Sequence, residues 1–145
     1  MRVLIVDSSV RIIERLEEMI AEAGNITAVH STVSFEEAKK LFKENKYDAV
    51  LLDIDLPGNE SLKLLKEIKS TGEETCVIIL FTHINSYVQQ QCESLGVGFF
   101  FDKYYEFEKI CGLLCSLPFI DTKKRFEQKE KHMNGQFYFR PSESS

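Results

Sequence analysis

Four polar residues stand at the ends of apolar runs, where buried strands would end: Asp7, Asp53, Thr82 and Lys103. Two carboxylates that lie close together repel each other, so a cation is the natural group to lie between them. Oxygen ligands at an open edge suit Mg²⁺, which keeps several of its waters. With this ion and the lysine ammonium offsetting the charge on the phosphoryl oxygens, Asp53 can attack a phosphoryl group in line. The hydroxyl of Thr82 can donate to a phosphoryl oxygen.

An alternation of short apolar runs and longer amphipathic stretches must position these four residues. The apolar runs predict strands over residues 2–6, 26–29, 47–52, 76–81 and 97–101. The stretches with helical spacing lie at 10–23, 35–42, 62–72, 85–95 and 104–116. Each connection is long enough for a helical crossover, so the sheet should be parallel with helices on both faces.

This pattern predicts an α/β fold with a doubly wound, five-stranded parallel sheet. A flavodoxin-like strand order, 2-1-3-4-5, makes the first and third strands neighbours at the point where the order reverses. Ligands bind at that point in open α/β sheets, outside the carboxyl ends of the strands. Asp7 and Asp53 would face each other there.

The composition is that of a water-soluble protein: 145 residues, 43% hydrophobic and 28% charged. Apolar runs stay short of the ~18 residues of a membrane span, and Asp7 comes too early for a signal-peptide core. We therefore expect a cytoplasmic protein with no membrane contact. The net charge of −5 argues against a nucleic-acid partner. The four cysteines form no CxxC pair, so free thiols are favoured over a metal site.

The charge divides the chain into two parts. Residues 1–120 hold 12 basic and 19 acidic residues and are predicted to form one domain. Residues 121–145 hold 6 basic and 4 acidic residues and are predicted to be a short charged tail without an output domain, since about 25 residues cannot build one. The aromatic run 137–139 is expected to pack back on the domain.

Three segments resemble the receiver domains of two-component response regulators. They are Val-Leu-Ile-Val-Asp-Ser-Ser (3–9), Tyr-Asp-Ala-Val-Leu-Leu-Asp-Ile-Asp-Leu-Pro-Gly (47–58) and Phe-Phe-Phe-Asp-Lys (99–103). The resemblance covers about residues 1–117. It implies a flavodoxin-like fold and phosphorylation of the third-strand aspartate by a histidine kinase, with Mg²⁺ as the required ion. Without an output domain, the chain resembles a stand-alone receiver that signals by contact with an unknown downstream protein.

The resemblance also implies roles for single residues. Asp53 would be the phosphoacceptor and Lys103 the lysine that binds the phosphoryl group. Asp7 would be one of the metal-binding acids of the first strand, and the metal would also contact Asp53 and the main-chain carbonyl of Asp55. Phe100 would be the aromatic residue that follows the fourth-strand hydroxyl when the domain switches state.

The chain departs from the family pattern at two places near these residues. The family usually has two consecutive acids after the first strand, whereas this chain has Asp7-Ser8, and Ser8 matches the acid that ligates the metal directly. A second carboxylate at Asp55 would replace the lost acid, repel the phosphoryl group, or simply lie in a solvated loop. The family hydroxyl falls on Phe81, with Thr82 one residue later, so either a local shift brings Thr82 in or the hydroxyl is missing.

These departures leave a pseudo-receiver, which binds partners without phosphorylation, as the main alternative. A phosphatase is a further alternative, because Asp53-Ile54-Asp55 resembles the Asp-x-Asp motif of haloacid-dehalogenase-type enzymes, but the chain has little room for a lid. A flavin or nucleotide carrier would need a glycine-rich loop after the first strand, and Asp7-Ser8-Ser9 holds no glycine. We therefore expect a signalling domain, not an enzyme beyond its own phosphorylation and dephosphorylation.

Overall fold

The computed structural model of the protein describes residues 1–117. Five strands alternate with five helices. The strands are β1 (Arg2–Val6), β2 (Ala28–Thr32), β3 (Ala49–Asp53), β4 (Cys76–Phe81) and β5 (Phe99–Asp102). The helices are α1 (Val10–Ala21), α2 (Phe35–Glu44), α3 (Glu60–Ser70), α4 (Ser86–Ser94) and α5 (Phe107–Ser116), and a short 3-10 turn, Pro57–Asn59, precedes α3.

All five strands are parallel and lie in the order β2-β1-β3-β4-β5. The predicted fold class and strand order are therefore confirmed. In the register of β1 and β3, Val6 pairs with Leu52, so the next residue of each strand, Asp7 and Asp53, reaches the same edge of the sheet. The strand order thus places both carboxylates where the chain reverses its winding.

Alternating residues of the strands point to two separate hydrophobic cores. In β1, Val3 and Ile5 belong to the core beneath α1 and α5, whereas Leu4 and Val6 belong to the core beneath α2, α3 and α4. A strand that is covered on both faces must be apolar at every position, and this explains the unbroken apolar runs of β1, β3 and β4. Helices on both faces were predicted and are observed.

Three element boundaries show how the structure differs from the sequence-based prediction. β2 covers Ala28–Thr32, two residues later than predicted at its start, because this half-exposed edge strand needs no continuous apolar run. The first helix ends at Ala21, before Gly24, since Ile20 is its last buried residue. The fifth helix begins at Phe107, because a turn precedes it in which the Asp102 carboxylate accepts two backbone N–H bonds.

Serine and asparagine side chains begin three of the helices. The Ser9 hydroxyl accepts the backbone N–H of Ile12, and the Ser34 hydroxyl accepts that of Glu37. At the start of α4, the side-chain oxygen of Asn85 accepts the backbone N–H of Val88. Such caps satisfy N–H groups that have no partner within the helix.

Two predictions lie outside the described residues, namely the tail at 121–145 and the packing of its aromatic run. Within residues 1–117, no helix is both long enough and apolar enough to span a membrane.

Candidate functional site

The Asp53 carboxylate is fully buried at the end of β3 and is held by four donors. Its Oδ1 accepts from Lys103 Nζ at 2.8 Å and from the Asp55 backbone N–H at 2.8 Å. Its Oδ2 accepts from the Ser8 backbone N–H at 3.1 Å and from the Ser8 hydroxyl at 2.9 Å. Two donors on each oxygen hold the carboxylate in one orientation.

Lys103 lies between the carboxylates, where the sequence predicts a positive charge. Its backbone N–H donates to the Phe81 carbonyl at 2.9 Å, which fixes the start of the loop after β5. Its Nζ is 2.8 Å from Asp53 Oδ1, 3.1 Å from Asp7 Oδ2 and 3.9 Å from Asp55 Oδ2, and the side chain is only 5% exposed. Burial lowers the pKa of Lys103, but its bonds and charge interactions with Asp53 and Asp7 outweigh this effect, so the pKa lies above 10.5.

Asp7 is fully buried beside Asp53. Its Oδ1 accepts the Ser9 backbone N–H at 2.8 Å. Its Oδ2 has no partner with hydrogen-bond geometry, so the contact of 3.1 Å with Lys103 Nζ is ionic. Burial raises the pKa of Asp7 above 3.8 and the charge of Asp53 raises it further, while the Ser9 N–H and Lys103 act in the opposite direction.

The donor chemistry of this edge fits Mg²⁺. Asp7 and Asp53 offer two buried carboxylates, and Asp7 Oδ2 lacks a hydrogen bond. The main-chain carbonyl of Asp55 would supply a third oxygen of the kind that hard cations prefer. Within residues 1–117, histidine, cysteine and acidic side chains form no group of three or more suited to a metal, so an ion held here would keep several waters.

Thr82 donates its hydrogen bonds to Asp55, not to Asp53. Its backbone N–H and its hydroxyl donate to Asp55 Oδ2 at 3.2 Å and 2.9 Å. β4 keeps an unbroken register with β5 through the pair of Phe81 and Asp102, so the local shift that would bring Thr82 into the site does not occur. The Asp55 carboxylate therefore faces both the Thr82 hydroxyl and, at 3.9 Å, the Lys103 ammonium.

The aromatic residues near the site belong to the core beneath α2, α3 and α4. Phe100 is fully buried there, on the opposite face of β5 from Phe99 and Phe101, as the alternation of a strand predicts. Phe81 is half-buried and packs against the same core. Phe81 is the chain position on which the resemblance places the family hydroxyl.

Sequence reasoning missed two contacts of Asp53. Ser8 was treated as a weak metal ligand, but both its N–H and its hydroxyl donate to the carboxylate. Ser61 was assigned no role, whereas its buried hydroxyl donates to the main-chain carbonyl of Asp53. Ser8 follows the end of β1 by two residues, so its backbone N–H must lie at the same edge of the sheet as Asp53. That position was a usable signal for the first contact. The contact of Ser61 depends on how α3 packs on β3 and has no local signal.

Fold and site together define a class of protein: a doubly wound, flavodoxin-like domain with buried carboxylates and a lysine at its switch point. A sequence model of the response regulator receiver domain matches residues 3–114, so the chain belongs to this family. Receiver domains are components of two-component systems, and members of the family use Mg²⁺ at the phosphorylation site.

Curated relatives are longer proteins. The transcriptional regulatory protein DltR of Streptococcus agalactiae is 28% identical over 110 residues, which cover 76% of this chain and 48% of DltR. The two-component response regulator PhoP of Pseudomonas aeruginosa is 28% identical over 119 residues, which cover 81% of this chain and 51% of PhoP. The chain thus spans about half the length of these relatives.

Solved structures share the fold. The signal receiver domain of NarL from Mycobacterium tuberculosis superposes with a TM-score of 0.69 at 21% identity, covering 78% of this chain and 91% of that one. The chemotaxis protein CheY4 of Vibrio cholerae has the same TM-score at 20% identity, covering 78% and 94%.

Proposed function

We propose that this chain is a phosphorelay signalling domain in which a histidine kinase phosphorylates Asp53 in a Mg²⁺-dependent reaction. The observation that carries the proposal is the buried Asp53 carboxylate, 2.8 Å from Lys103 Nζ and beside Asp7 at the carboxyl edge of the sheet. Asp7 is a buried acid whose pKa is raised, chiefly by burial, and it lies beside a lysine, an arrangement that is typical of functional sites.

In this step one oxygen of Asp53 attacks the phosphorus of a phosphohistidine. The new P–O bond forms as the P–N bond breaks, and the electron pair of that bond leaves with the imidazole nitrogen. Lys103 is placed to offset the charge on the phosphoryl oxygens, and Ser8 and the Asp55 N–H keep the carboxylate oriented. When bound by Asp7, Asp53 and the Asp55 carbonyl, Mg²⁺ supplies further charge compensation.

The phosphorylated state would act on a downstream protein by direct contact, with Phe100 as the switch residue and Thr82 in the loop that responds. We propose a receiver domain over residues 1–120 and a short charged tail over 121–145. On this proposal, the only chemistry the domain catalyses is its own phosphoryl transfer and dephosphorylation.

A pseudo-receiver is the second candidate, and two observations favour it. Ser8 stands where a metal-ligating acid is usual, and the Phe81 ring stands where a hydroxyl is usual. In this case the unmodified domain would capture its partner.

Intact-mass measurement after incubation with acetyl phosphate separates the two candidates. We expect a phosphoryl adduct that requires Mg²⁺, is lost with chelator and is lost in Asp53→Asn. Asp48→Asn is the matched control, since Asp48 is an exposed aspartate before β3 whose Oδ2 accepts the Arg2 N–H, and it should leave the adduct unchanged. If there is no adduct and beryllofluoride leaves the NMR signals near Phe100 unshifted, the phosphorylation proposal is wrong and the pseudo-receiver stands.

A further inference from the structure

Ser8 donates two hydrogen bonds to the Asp53 side chain, and a metal-binding role for its hydroxyl predicts neither of them. Its backbone N–H and its hydroxyl both donate to the same oxygen, Asp53 Oδ2, at 3.1 Å and 2.9 Å. A carboxylate oxygen has two lone pairs in the plane of the group, and two donors occupy both. In the absence of an ion, this oxygen is therefore fully satisfied by Ser8.

The other oxygen of Asp53 is equally occupied. Lys103 Nζ and the Asp55 N–H each approach Oδ1 to 2.8 Å. A cation can bind Asp53 only by displacing one of the four donors, because donor hydrogens and a cation compete for the same lone pairs.

The Ser8 hydroxyl is the donor that can be displaced with the smallest rearrangement. Two of the others are backbone N–H groups, which are fixed by the chain, and Lys103 is buried between three carboxylates. Ser8 is exposed, so rotation about its χ1 angle can turn its hydroxyl toward water. Where a second acid would bind the ion, this chain has a group that competes with the ion.

We propose that Ser8 is a positioning residue that weakens Mg²⁺ binding by holding Asp53 Oδ2 through its hydroxyl. The inference rests on the proposed function only in taking this carboxylate as the metal site. It predicts the opposite of a ligand role for Ser8. If the hydroxyl were a ligand, its removal would weaken binding, whereas if it competes with the ion, its removal strengthens binding.

The test is a Mg²⁺ titration of the unphosphorylated full-length chain, followed through the NMR amide signals of Ser8, or its replacement, and Asp55, with ionic strength matched by NaCl. We expect Ser8→Ala to bind Mg²⁺ about fivefold more tightly, the effect of losing one competing hydrogen bond of ordinary net strength. Ser8→Thr keeps the hydroxyl and should bind like the natural chain. Ser8→Asp supplies a carboxylate ligand and should bind roughly tenfold or more tightly.

Ser34→Ala is the matched control, because it also removes an exposed serine hydroxyl, one that caps α2 and contacts no carboxylate of the site. Its Mg²⁺ affinity should be unchanged. The inference is overturned if Ser8→Ala binds Mg²⁺ as weakly as the natural chain or more weakly, including the case in which only Ser8→Asp binds, or in which no variant binds.

Failure of this inference and failure of the proposed function give different results. A Mg²⁺-dependent adduct together with unchanged affinity in Ser8→Ala refutes only the role of Ser8. Tighter binding in Ser8→Ala without any adduct in the natural chain refutes only phosphorylation of Asp53.

Discussion

At the scale of single residues, Asp7 bears the highest electrostatic cost in the site. It is fully buried, it lies beside a second buried carboxylate, and its Oδ2 has an ionic contact with Lys103 instead of a hydrogen bond. Burial disfavours the ionised form because water no longer solvates the charge. The Ser9 N–H and the Lys103 ammonium recover only part of this loss, so the proton is bound more tightly than in the unfolded chain.

A pH titration tests this account of Asp7. The ¹³Cγ signal of its side chain should titrate with a midpoint above 3.8, the ordinary value of an aspartate. Because the folded protein then binds more protons than the unfolded chain between 3.8 and that midpoint, this group lowers the free energy of unfolding as pH rises through the window. A midpoint at or below 3.8 for Asp7 would show that Lys103 outweighs burial.

At the scale of elements, the site depends on where each strand ends relative to its neighbour. β4 ends at Phe81 in unbroken register with β5, so the hydroxyl of Thr82 lies one residue past the strand and bonds to Asp55. Successive strand residues point to opposite faces, and a shift of one position therefore changes the partner completely. In this chain the loops after β3 and β4 are joined through Asp55 and Thr82.

The junction of α3 and β3 is made by a buried hydrogen bond. Ser61 is 2% exposed, and its hydroxyl donates to the carbonyl of Asp53. Ser61→Ala should lower the free energy of unfolding by about 1–3 kcal/mol, because it leaves that carbonyl without this donor in a buried place. Chemical denaturation measures this loss.

Ser70→Ala is the matched comparison, because its hydroxyl also donates to a carbonyl, that of Glu67, but at the exposed end of the same helix. We expect a change within about 0.5 kcal/mol for this variant. Equal losses in the two variants would mean that burial of Ser61 is not what makes its bond important.

At the scale of the whole molecule, the sheet separates two cores, and both are covered by helices that lie within residues 1–117. α1 and α5 cover one face, and α2, α3 and α4 cover the other. The site lies at the carboxyl edge, between the layers, where side chains that follow β1, β3 and β5 converge. The relative positions of these side chains therefore depend on the packing of the entire sheet.

Removal of residues 121–145 tests the proposed domain boundary. We expect the shortened chain to unfold in one cooperative transition, because both faces of the sheet are still covered, and to lose only about 1–2 kcal/mol of its free energy of unfolding through the missing packing of the aromatic run 137–139. Denaturation of the two chains side by side gives the answer. A loss of cooperativity, or a fall of several kcal/mol, would place part of the tail in the folded domain.

The sequence by itself determined the architecture of this protein. Short unbroken apolar runs rich in β-branched residues are typical of strands that are covered on both faces, and connections of helical length make such strands parallel. Because parallel strands end at one edge, polar residues at the ends of these runs also predicted that Asp7, Asp53, Thr82 and Lys103 meet there. Both Asp7 and Asp53 contact the Lys103 ammonium, whereas Thr82 bonds to Asp55 instead of Asp53.

Only the tertiary structure decided which donor holds which oxygen. Ser8 lies 45 residues from Asp53 in sequence, and Thr82 lies 27 residues from Asp55, so no local pattern specifies either pair. Their contacts depend on strand register, on the exact residue at which β4 ends and on side-chain rotation. A shift of a single residue in any of these elements would change which groups meet. Periodicity locates an element to within a few residues, and that precision is too coarse to assign a hydrogen bond.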